Sequence, residues 1–238
     1  MTGFIRVAMD VIRLPAVVAP LISEAMVSAQ TERVIDLCSG AGGPVLGVIK
    51  RLRQEGNQNA CVILTDMYPN LGAFARAEEE LPGAVFTRTQ PTDASAVPSD
   101  LDGVRTIFNA LHHLPPDVAR AVFADAVEKR QPILTFEVVR RTPVAILAAA
   151  TGFISALAFV PLVKPRRVSN VVFTYLIPLI PLFVAWDGVA SCLRSYSEGE
   201  LEALVAPLRS RSYTFRIERR RVPWTPMTVT SVVGLPVL

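Results

Sequence analysis

The sequence has 238 residues, of which 51% are hydrophobic and 19% are charged, and its formal net charge is +3. The length suits a single domain, residues 1–238, with a sizeable core and room for an insertion. A charge of +3 is too small to indicate a nucleic-acid partner by itself. The mean hydropathy of +0.39 is high for a soluble enzyme, so the excess of apolar residues must be concentrated in particular segments.

The cysteines do not form a metal-binding pattern. Cys38, Cys61 and Cys192 lie far apart in the sequence and lack the paired spacing of zinc ligands. An odd number of such cysteines is typical of a reducing compartment. We therefore expect no bound metal and a cytoplasmic protein.

The N-terminal segment, residues 1–30, has apolar residues at helical spacing and is predicted to be helical. Breaks are expected near Pro15 and Pro20, because proline cannot donate a helix hydrogen bond. Arg6 and Asp10 interrupt its apolar stretches, so we do not expect a signal peptide.

Short apolar segments and helical patterns then alternate, which predicts a parallel sheet covered by helices on both faces. We expect an α/β fold, specifically a Rossmann-like three-layer sandwich with a mostly parallel seven-stranded sheet. The predicted strands lie within residues 33–40, 60–66, 84–94, 103–111, 131–139, 212–220 and 226–237. The predicted helices between them lie within residues 43–56, 70–83, 115–130 and 197–208.

A glycine-rich turn, VIDLCSGAGGP at residues 34–44, follows the first predicted strand. A triphosphate-binding loop would need a Lys-Ser/Thr pair that this turn lacks. A dinucleotide-binding turn would need a third glycine where the sequence has Val45. The third ligand class that uses such a turn is S-adenosylmethionine.

The same turn resembles the Asp-x-Gly-x-Gly-x-Gly motif of the class I S-adenosylmethionine-dependent methyltransferases, and the resemblance covers most of the chain. Asp36, Gly40 and Gly42 are in register with that motif, whereas Cys38 replaces its first glycine. The resemblance implies that Asp36 helps to anchor the amino-acid end of the cofactor. It also implies that the turn, including Cys38 and Ser39, lies against the methionine and ribose portions, which glycine makes easier because it has no side chain.

Acidic residues end the next two predicted strands. Asp66 is placed to accept hydrogen bonds from both ribose hydroxyls, a role that also occurs in dinucleotide sites. The resemblance implies that Met67 packs on the adenine and that Asp93 and Ala94 lie beside it. For Asp93, an Asx-turn is an equally good interpretation.

The segment FNALHHLPP, residues 108–116, ends the fourth predicted strand and contains both histidines of the chain, His112 and His113. The carboxyl ends of central parallel strands form the ligand crevice of such sheets. The resemblance implies that Asn109 and Ala110 lie near the transferred methyl group. A histidine there suits proton removal from a hydroxyl acceptor, and the structural alternative is a cap on the following helix.

Glu137, near the end of the fifth predicted strand, is a further candidate for substrate contact or proton removal. The interpretation that we favour slightly for this residue is structural, a salt bridge to Arg140 or Arg194.

Two uncharged stretches, residues 142–163 and 168–186, flank the basic sequence KPRR. Each is long enough to span a membrane as a helix, but the position of the basic loop opposes the positive-inside rule. Pro178 and Pro181 also interrupt helical hydrogen bonding in the second stretch. We therefore expect a hydrophobic helical insertion, residues 142–187, that does not fully span a membrane.

Three roles remain open for this insertion. It contacts the cytosolic leaflet of a membrane through its basic loop, it covers the crevice as an apolar lid, or it pairs with a second copy in a homodimer. Trp186 suits either a membrane interface or a wall of the substrate site. All three roles favour a lipophilic acceptor, because the insertion directly follows the fifth strand.

The sequence as a whole predicts a methyltransferase that uses S-adenosylmethionine, releases S-adenosylhomocysteine and methylates a small lipophilic molecule, with oxygen as the first choice of acceptor atom. One alternative is an NAD(P)-dependent oxidoreductase, and another is a non-enzymatic, membrane-associated nucleoside-binding protein. No nucleic-acid partner is expected, because no aromatic residues interleave with the basic residues 219–221.

Overall fold

The computed structural model of the chain describes residues 9, 13–162, 168–225 and 227–237. Within these residues, seven strands form one sheet. The strands are β1 (Arg33–Leu37), β2 (Cys61–Leu64), β3 (Val85–Thr87), β4 (Val104–Phe108), β5 (Ile133–Glu137), β6 (Tyr213–Arg221) and β7 (Thr228–Pro236).

The strand order is β3-β2-β1-β4-β5-β7-β6. The first five strands pair in parallel, whereas β7 runs antiparallel to both of its neighbours, β5 and β6. The predicted α/β fold with a mostly parallel seven-stranded sheet is thus confirmed. Because the chain passes from β1 to β2 on one side and reaches β4 on the other, the sheet changes winding direction between β1 and β4. A ligand crevice is expected at that point.

Helices cover both faces of the sheet and give the predicted three layers. The helices of the described residues are α1 (Leu14–Ser28), α2 (Val45–Gln54), α3 (Leu71–Glu80), α4 (Pro116–Glu128), α5 (Pro143–Ala150), α6 (Gly152–Phe159), α7 (Val168–Val171), α8 (Leu179–Arg194) and α9 (Glu198–Val205). One hydrophobic core joins α1, α2 and α3 to the first face. A second core joins α4 and α9 to the opposite face.

The helix α1 corrects one expectation about the N-terminal segment. It runs without interruption through Pro20, and Pro15 lies in its first turn, where a missing N–H costs little. Pro20 is on the exposed face, whereas side chains such as Val18 and Ile22 are fully buried. Packing of the apolar face therefore compensates for the hydrogen bond that Pro20 cannot donate. Residues 1–8 and 10–12 of the predicted segment lie outside the described residues.

The uncharged stretches after β5 are helical, and the last helix, α8, continues beyond residue 187 to Arg194. The helices α5 and α6 both pack on α8. Small residues allow this close approach: a Cβ atom added to Gly188 would lie 3.3 Å from the Cβ of Ala149, and one added to Gly152 would lie 3.4 Å from Cγ1 of Val184.

In the described part of the chain, no single helix has both the length and the apolar composition to cross a membrane. Two bent helix pairs meet those criteria when each pair is taken together. The first, Pro143–Ala150 with Gly152–Leu162, is bent by 40°, and the second, Val168–Leu176 with Leu179–Arg194, is bent by 77°. The second bend lies beside Pro178, where the sequence predicts an interruption.

Candidate active site

The glycine-rich turn after β1 uses backbone conformations that few residues adopt easily. Cys38, Gly40 and Gly42 all have positive φ angles, of 58°, 57° and 83°. A left-handed conformation is unfavourable for a residue with a Cβ atom, so Cys38 holds strain that a glycine would avoid. This explains physically why glycine is usual at the position where this chain has cysteine.

Gly42 serves packing as well as turn geometry. A Cβ atom at this residue would lie 2.8 Å from Cδ1 of Leu46 and 3.4 Å from Cδ1 of Leu64. Gly42 therefore lets α2 approach the sheet. The sequence pattern alone does not distinguish this packing role from contact with a ligand.

Asp36 lies inside β1 and is 2% exposed. Its Oδ1 accepts a hydrogen bond of 2.8 Å from the hydroxyl of Thr106 on β4. Burial raises the pKa of Asp36 to about 7, against the opposing effect of hydrogen bonds from Ser39 and Thr106. Ser39 also holds the turn, because its hydroxyl donates to the Asp36 carbonyl at 2.8 Å.

Asp66 closes the other side of the turn. Its Oδ2 accepts a hydrogen bond of 2.8 Å from the Gly40 amide, and its Oδ1 accepts one of 2.8 Å from the Tyr68 amide. Each carboxylate oxygen can accept a second hydrogen bond, so these contacts orient the group and leave it able to receive hydroxyl donors.

The Cys38 thiol is affected by the acidic groups of the site. Burial raises its pKa to about 12, and the charges of Asp66, Asp36 and Asp93 add to the shift. The thiol is therefore neutral at physiological pH and a poor nucleophile. Carboxyl groups of Asp36, Asp66 and Asp93 thus act on the turn, which suits a ligand that carries positive charge and hydroxyl donors.

The remaining residues predicted to hold the cofactor follow β2, β3 and β4; β3 ends at Thr87, so Asp93 and Ala94 lie in the loop after it and not at the strand end that the sequence predicted. Asp93 forms the Asx-turn, since its Oδ1 accepts from the amide and the hydroxyl of Ser95 at 2.8 and 2.7 Å. Ala94 is buried, Met67 is exposed, and Ala110 packs against the second core.

Asn109 is held in a left-handed conformation directly after β4, with a φ of 49°. Its amide N–H donates to the Phe136 carbonyl at 2.8 Å, and its Oδ1 accepts from the Val138 amide at 2.9 Å. These bonds fasten the end of β4 to the end of β5. They place the short helical turn Leu111–His113 beside the end of β5.

His112 and Glu137 form a buried pair at this point. Nδ1 of His112 lies 2.6 Å from Oε2 of Glu137, and Oε1 of Glu137 accepts from the Leu111 amide at 2.8 Å. His112 is only 5% exposed, and its Nε2 is buried with no hydrogen-bond partner among the described residues. The favoured salt bridge of Glu137 to Arg140 or Arg194 is therefore wrong, because the carboxylate faces the turn after β4.

His113 lies next to this pair, with its ring centroid 4.1 Å from that of His112. Desolvation lowers its pKa, and the adjacent His112 lowers it further. His113 is thus expected to be neutral near pH 7, and no carboxylate in the described structure holds its ring.

An apolar cavity of about 470 Å³ separates these histidines from the helices after β5. The polar residues of its lining include Asn109, His112, His113, Arg140 and Asp187. The small and apolar residues of its lining include Ala145, Ala148, Gly152, Phe159 and Val184. The helices α5, α6 and α8, which follow β5, therefore form a wall of this cavity.

Sequence reasoning missed several residues of this cavity. Met9, Asp187, Ser191 and Thr228 all line it, although they come from three distant parts of the sequence. Only Asp187 carried a signal, as the first acidic residue after the two uncharged stretches. Trp186, in contrast, is 65% exposed and is not part of the lining.

The geometry contains no metal centre within the residues described, since no three His, Cys, Asp or Glu side chains are placed to share an ion.

Comparison with known proteins was informative only at the level of structure. No protein-family model matches the sequence, and no curated protein does. Among solved structures, an O-methyltransferase from neocarzinostatin biosynthesis, in complex with S-adenosylmethionine and a naphthoic acid, has a TM-score of 0.52 and 13% identity. The match covers 94% of this chain and 57% of that protein.

Two further structures have similar TM-scores. The pyocyanin biosynthetic protein PhzM has a TM-score of 0.51 at 12% identity, over 84% of this chain and 49% of its own. A protein described as a Zn-dependent alcohol dehydrogenase from Rhodobacter sphaeroides has a TM-score of 0.50 at 10% identity, over 91% of this chain and 90% of its own. The chain spans about half the length of the first two structures.

The position of β7 distinguishes this sheet from the dinucleotide-binding strand order. In the dinucleotide-binding order the sixth strand lies next to the fifth, whereas here β7 lies between β5 and β6 and runs antiparallel to both. The fold is that of the class I methyltransferases. Within this methyltransferase fold, the glycine-rich turn and the His112 cavity lie at the carboxyl ends of adjacent strands, β1 and β4.

Proposed function

We propose that this chain is an S-adenosylmethionine-dependent methyltransferase that acts on an oxygen atom of a small lipophilic acceptor. The observation that carries the proposal is the placement of His112. Its Nδ1 is bound by Glu137, its Nε2 is left without a described partner, and the residue lines an apolar cavity next to the glycine-rich turn.

The residues around the turn suit this cofactor. When bound, S-adenosylmethionine supplies an electrophilic methyl group on a positively charged sulfur. Asp36 and Asp66 offer carboxyl groups to the cationic and hydroxyl-bearing portions, and Met67 and Asp93 lie on the side proposed for the adenine. Cys38, Ser39, Gly40 and Gly42 form the wall of the turn. Asn109 lines the cavity and Ala110 follows it in the chain, which supports their proposed position near the transferred methyl group.

The His112–Glu137 pair can remove a proton from the acceptor. A carboxylate accepts hydrogen bonds, so Nδ1 of a neutral His112 carries the proton and Nε2 carries a lone pair. Nε2 takes the proton of the acceptor hydroxyl as its oxygen bonds to the methyl carbon, and Glu137 stabilises the imidazolium that forms. The bound cofactor would supply the methyl group and would keep the electron pair of the methyl–sulfur bond, so no further co-reactant would be needed.

The apolar lining indicates the class of acceptor. Ala145, Ala148, Gly152 and Val184 offer no charge and leave room for a molecule of moderate size. A lipophilic hydroxyl compound fits this lining when its oxygen lies near His112. Exclusion of water by such walls also protects the methyl group from hydrolysis.

The cofactor assignment is tested by calorimetric titration with S-adenosylmethionine and, separately, with NADPH. Binding of the first alone is expected. Asp66→Ala should weaken that binding by about 1–3 kcal/mol through lost hydrogen bonds. Asp100→Ala, which removes an exposed aspartate that pairs with Arg88, is the matched control and should leave affinity unchanged. Binding of NADPH alone would favour the oxidoreductase that the alcohol dehydrogenase likeness suggests.

The role of His112 is tested by transfer of a labelled methyl group into a lipid extract. His112→Gln should reduce turnover by roughly 10²–10⁴-fold while cofactor affinity stays constant, since general base catalysis is worth about that much. Glu137→Gln should shift the pH profile, and His113→Gln should have a smaller effect. Unaltered turnover in His112→Gln would refute the base, and no transfer by the wild type would support a nucleoside-binding protein.

A further inference from the structure

The helices that follow β5 expose large apolar side chains instead of burying them. In the described structure, α5 has no buried residue, and the buried core of the segment consists of Ala156, Val160 and Val184. Leu147, Ile154, Val168, Leu176, Phe183 and Trp186 are between 60% and 81% exposed. Such a surface is larger than the scattered apolar residues that are normal on a protein in water.

The composition of this surface excludes an ordinary solvated face. No charged residue occurs at positions 142–163 or 168–186, and the short sequence between them contains Lys164, Arg166 and Arg167. A surface exposed to water usually mixes charges of both signs. The segment therefore combines an uncharged apolar face with a cluster of positive charge in its sequence and no acidic residue before Asp187.

This combination matches a lipid surface better than a second copy of the chain. In a two-fold dimer the same face meets itself, so the three cations would be repeated without an acidic partner from the segment. Anionic headgroups supply the missing negative charge, and the acyl boundary accepts the apolar side chains. Exposed Trp186 and Tyr175 are of the type that concentrates at the boundary between lipid and water.

The bends between the helices give the segment a shape that suits this position. Angles of 40° and 77° divide both apolar stretches into short arms. Short apolar arms can lie in the plane of the headgroups, where a straight helix of about 20 residues would be needed to cross. The same helices line the His112 cavity with other residues, so the apolar surface and the cavity share a wall.

We propose that the apolar face formed by residues 142–162 and 168–187 docks on an anionic lipid bilayer. This proposal does not depend on methyl transfer. The bilayer contact is made by the exposed side chains of α5 to α8, and the positive charge of the sequence at residues 164–167 favours anionic lipids.

Flotation with vesicles in a density gradient tests the docking. Full-length protein should float with vesicles of phosphatidylcholine and phosphatidylglycerol, and less with phosphatidylcholine alone. The triple variant Leu147→Ser, Leu176→Ser, Phe183→Ser should lose about tenfold or more of the bound fraction, because each change removes an exposed apolar side chain. Val27→Ser, at an equally exposed position on α1, is the control and should float like the wild type.

Two measurements make every outcome decisive. Titration of the triple variant with S-adenosylmethionine and its circular dichroism spectrum show whether it remains folded, independently of lipid. Flotation that is absent in the wild type, or unchanged in a folded triple variant, overturns the proposal. Sedimentation that shows a wild-type dimer without vesicles, dissociated by the triple substitution, would assign the face to a second copy. If the triple variant does not fold, replacement of Lys164, Arg166 and Arg167 by Gln must abolish the preference for anionic vesicles.

Discussion

At the scale of single residues, Asp36 is the group whose charge the fold opposes most clearly. It belongs to β1, and its side chain is buried against Thr106 of β4. Burial raises its pKa from 3.8 to about 7. Between these two pH values the folded protein keeps a proton that the unfolded chain has released. The stability of the protein without ligand therefore falls as the pH rises through this window, and the full penalty is present above about pH 7.

Asp36→Asn should remove that penalty and keep an oxygen for the Thr106 hydroxyl. At pH 8 we expect the variant to be more stable than the wild type by roughly 1–3 kcal/mol, with almost no difference at pH 4. Thermal unfolding at both pH values measures this. Asn carries no negative charge to attract the positively charged cofactor, so the affinity for the cofactor at pH 8 should fall in the same variant. A stability difference that does not depend on pH would contradict the raised pKa of the buried Asp36 carboxyl group.

At the scale of elements, the packing of α5 and α6 on α8 creates a wall of the His112 cavity. Small side chains bring these helices together, as the close approach of Gly188 to Ala149 shows. The same small residues keep the cavity open, since no bulky side chain projects from that stretch of α5 into the space. The cavity is thus a consequence of helix packing, and its size depends on a few positions.

Ala148→Phe tests this dependence. The aromatic ring should occupy much of the 470 Å³ cavity and raise the KM for the acceptor about tenfold, with the cofactor Kd unchanged. Ala150→Phe on the same helix, at an exposed position outside the cavity lining, is the control. Steady-state kinetics measure both. Equal effects of the two substitutions would show that the cavity does not receive the acceptor.

At the scale of the whole molecule, a buried polar network holds the sheet to its covering helices. The fully buried Arg105 on β4 donates to Asp125 on α4 and to Gln131, both at 2.6 Å. Burial lowers the pKa of Arg105, against the opposing effect of Asp125. The network lies away from the glycine-rich turn and the cavity, so it supports the scaffold that positions them.

The sequence predicted most of this scaffold because its signals are local. Runs of Val and Ile fix the strands, and residues such as Asp36 and Asp66 lie at or beside strand ends that parallel pairing brings to one edge. Strand alternation could not reveal that β7 lies between β5 and β6. The continuous α1 through Pro20 was also missed, because only tertiary packing compensates for the lost hydrogen bond.

The His112–Glu137 pair shows where prediction from sequence stopped. His112 and Glu137 were each identified as candidates, but Glu137 was assigned more readily to a salt bridge with a nearby arginine. Their contact depends on the register of β4 and β5, in which Phe108 lies opposite Phe136. By itself, the sequence determined approximately where most strands begin and end, because periodicity and turn chemistry act between neighbours in the chain. Only the tertiary structure decided which of those ends meet, because strand order and register are set by packing between distant segments.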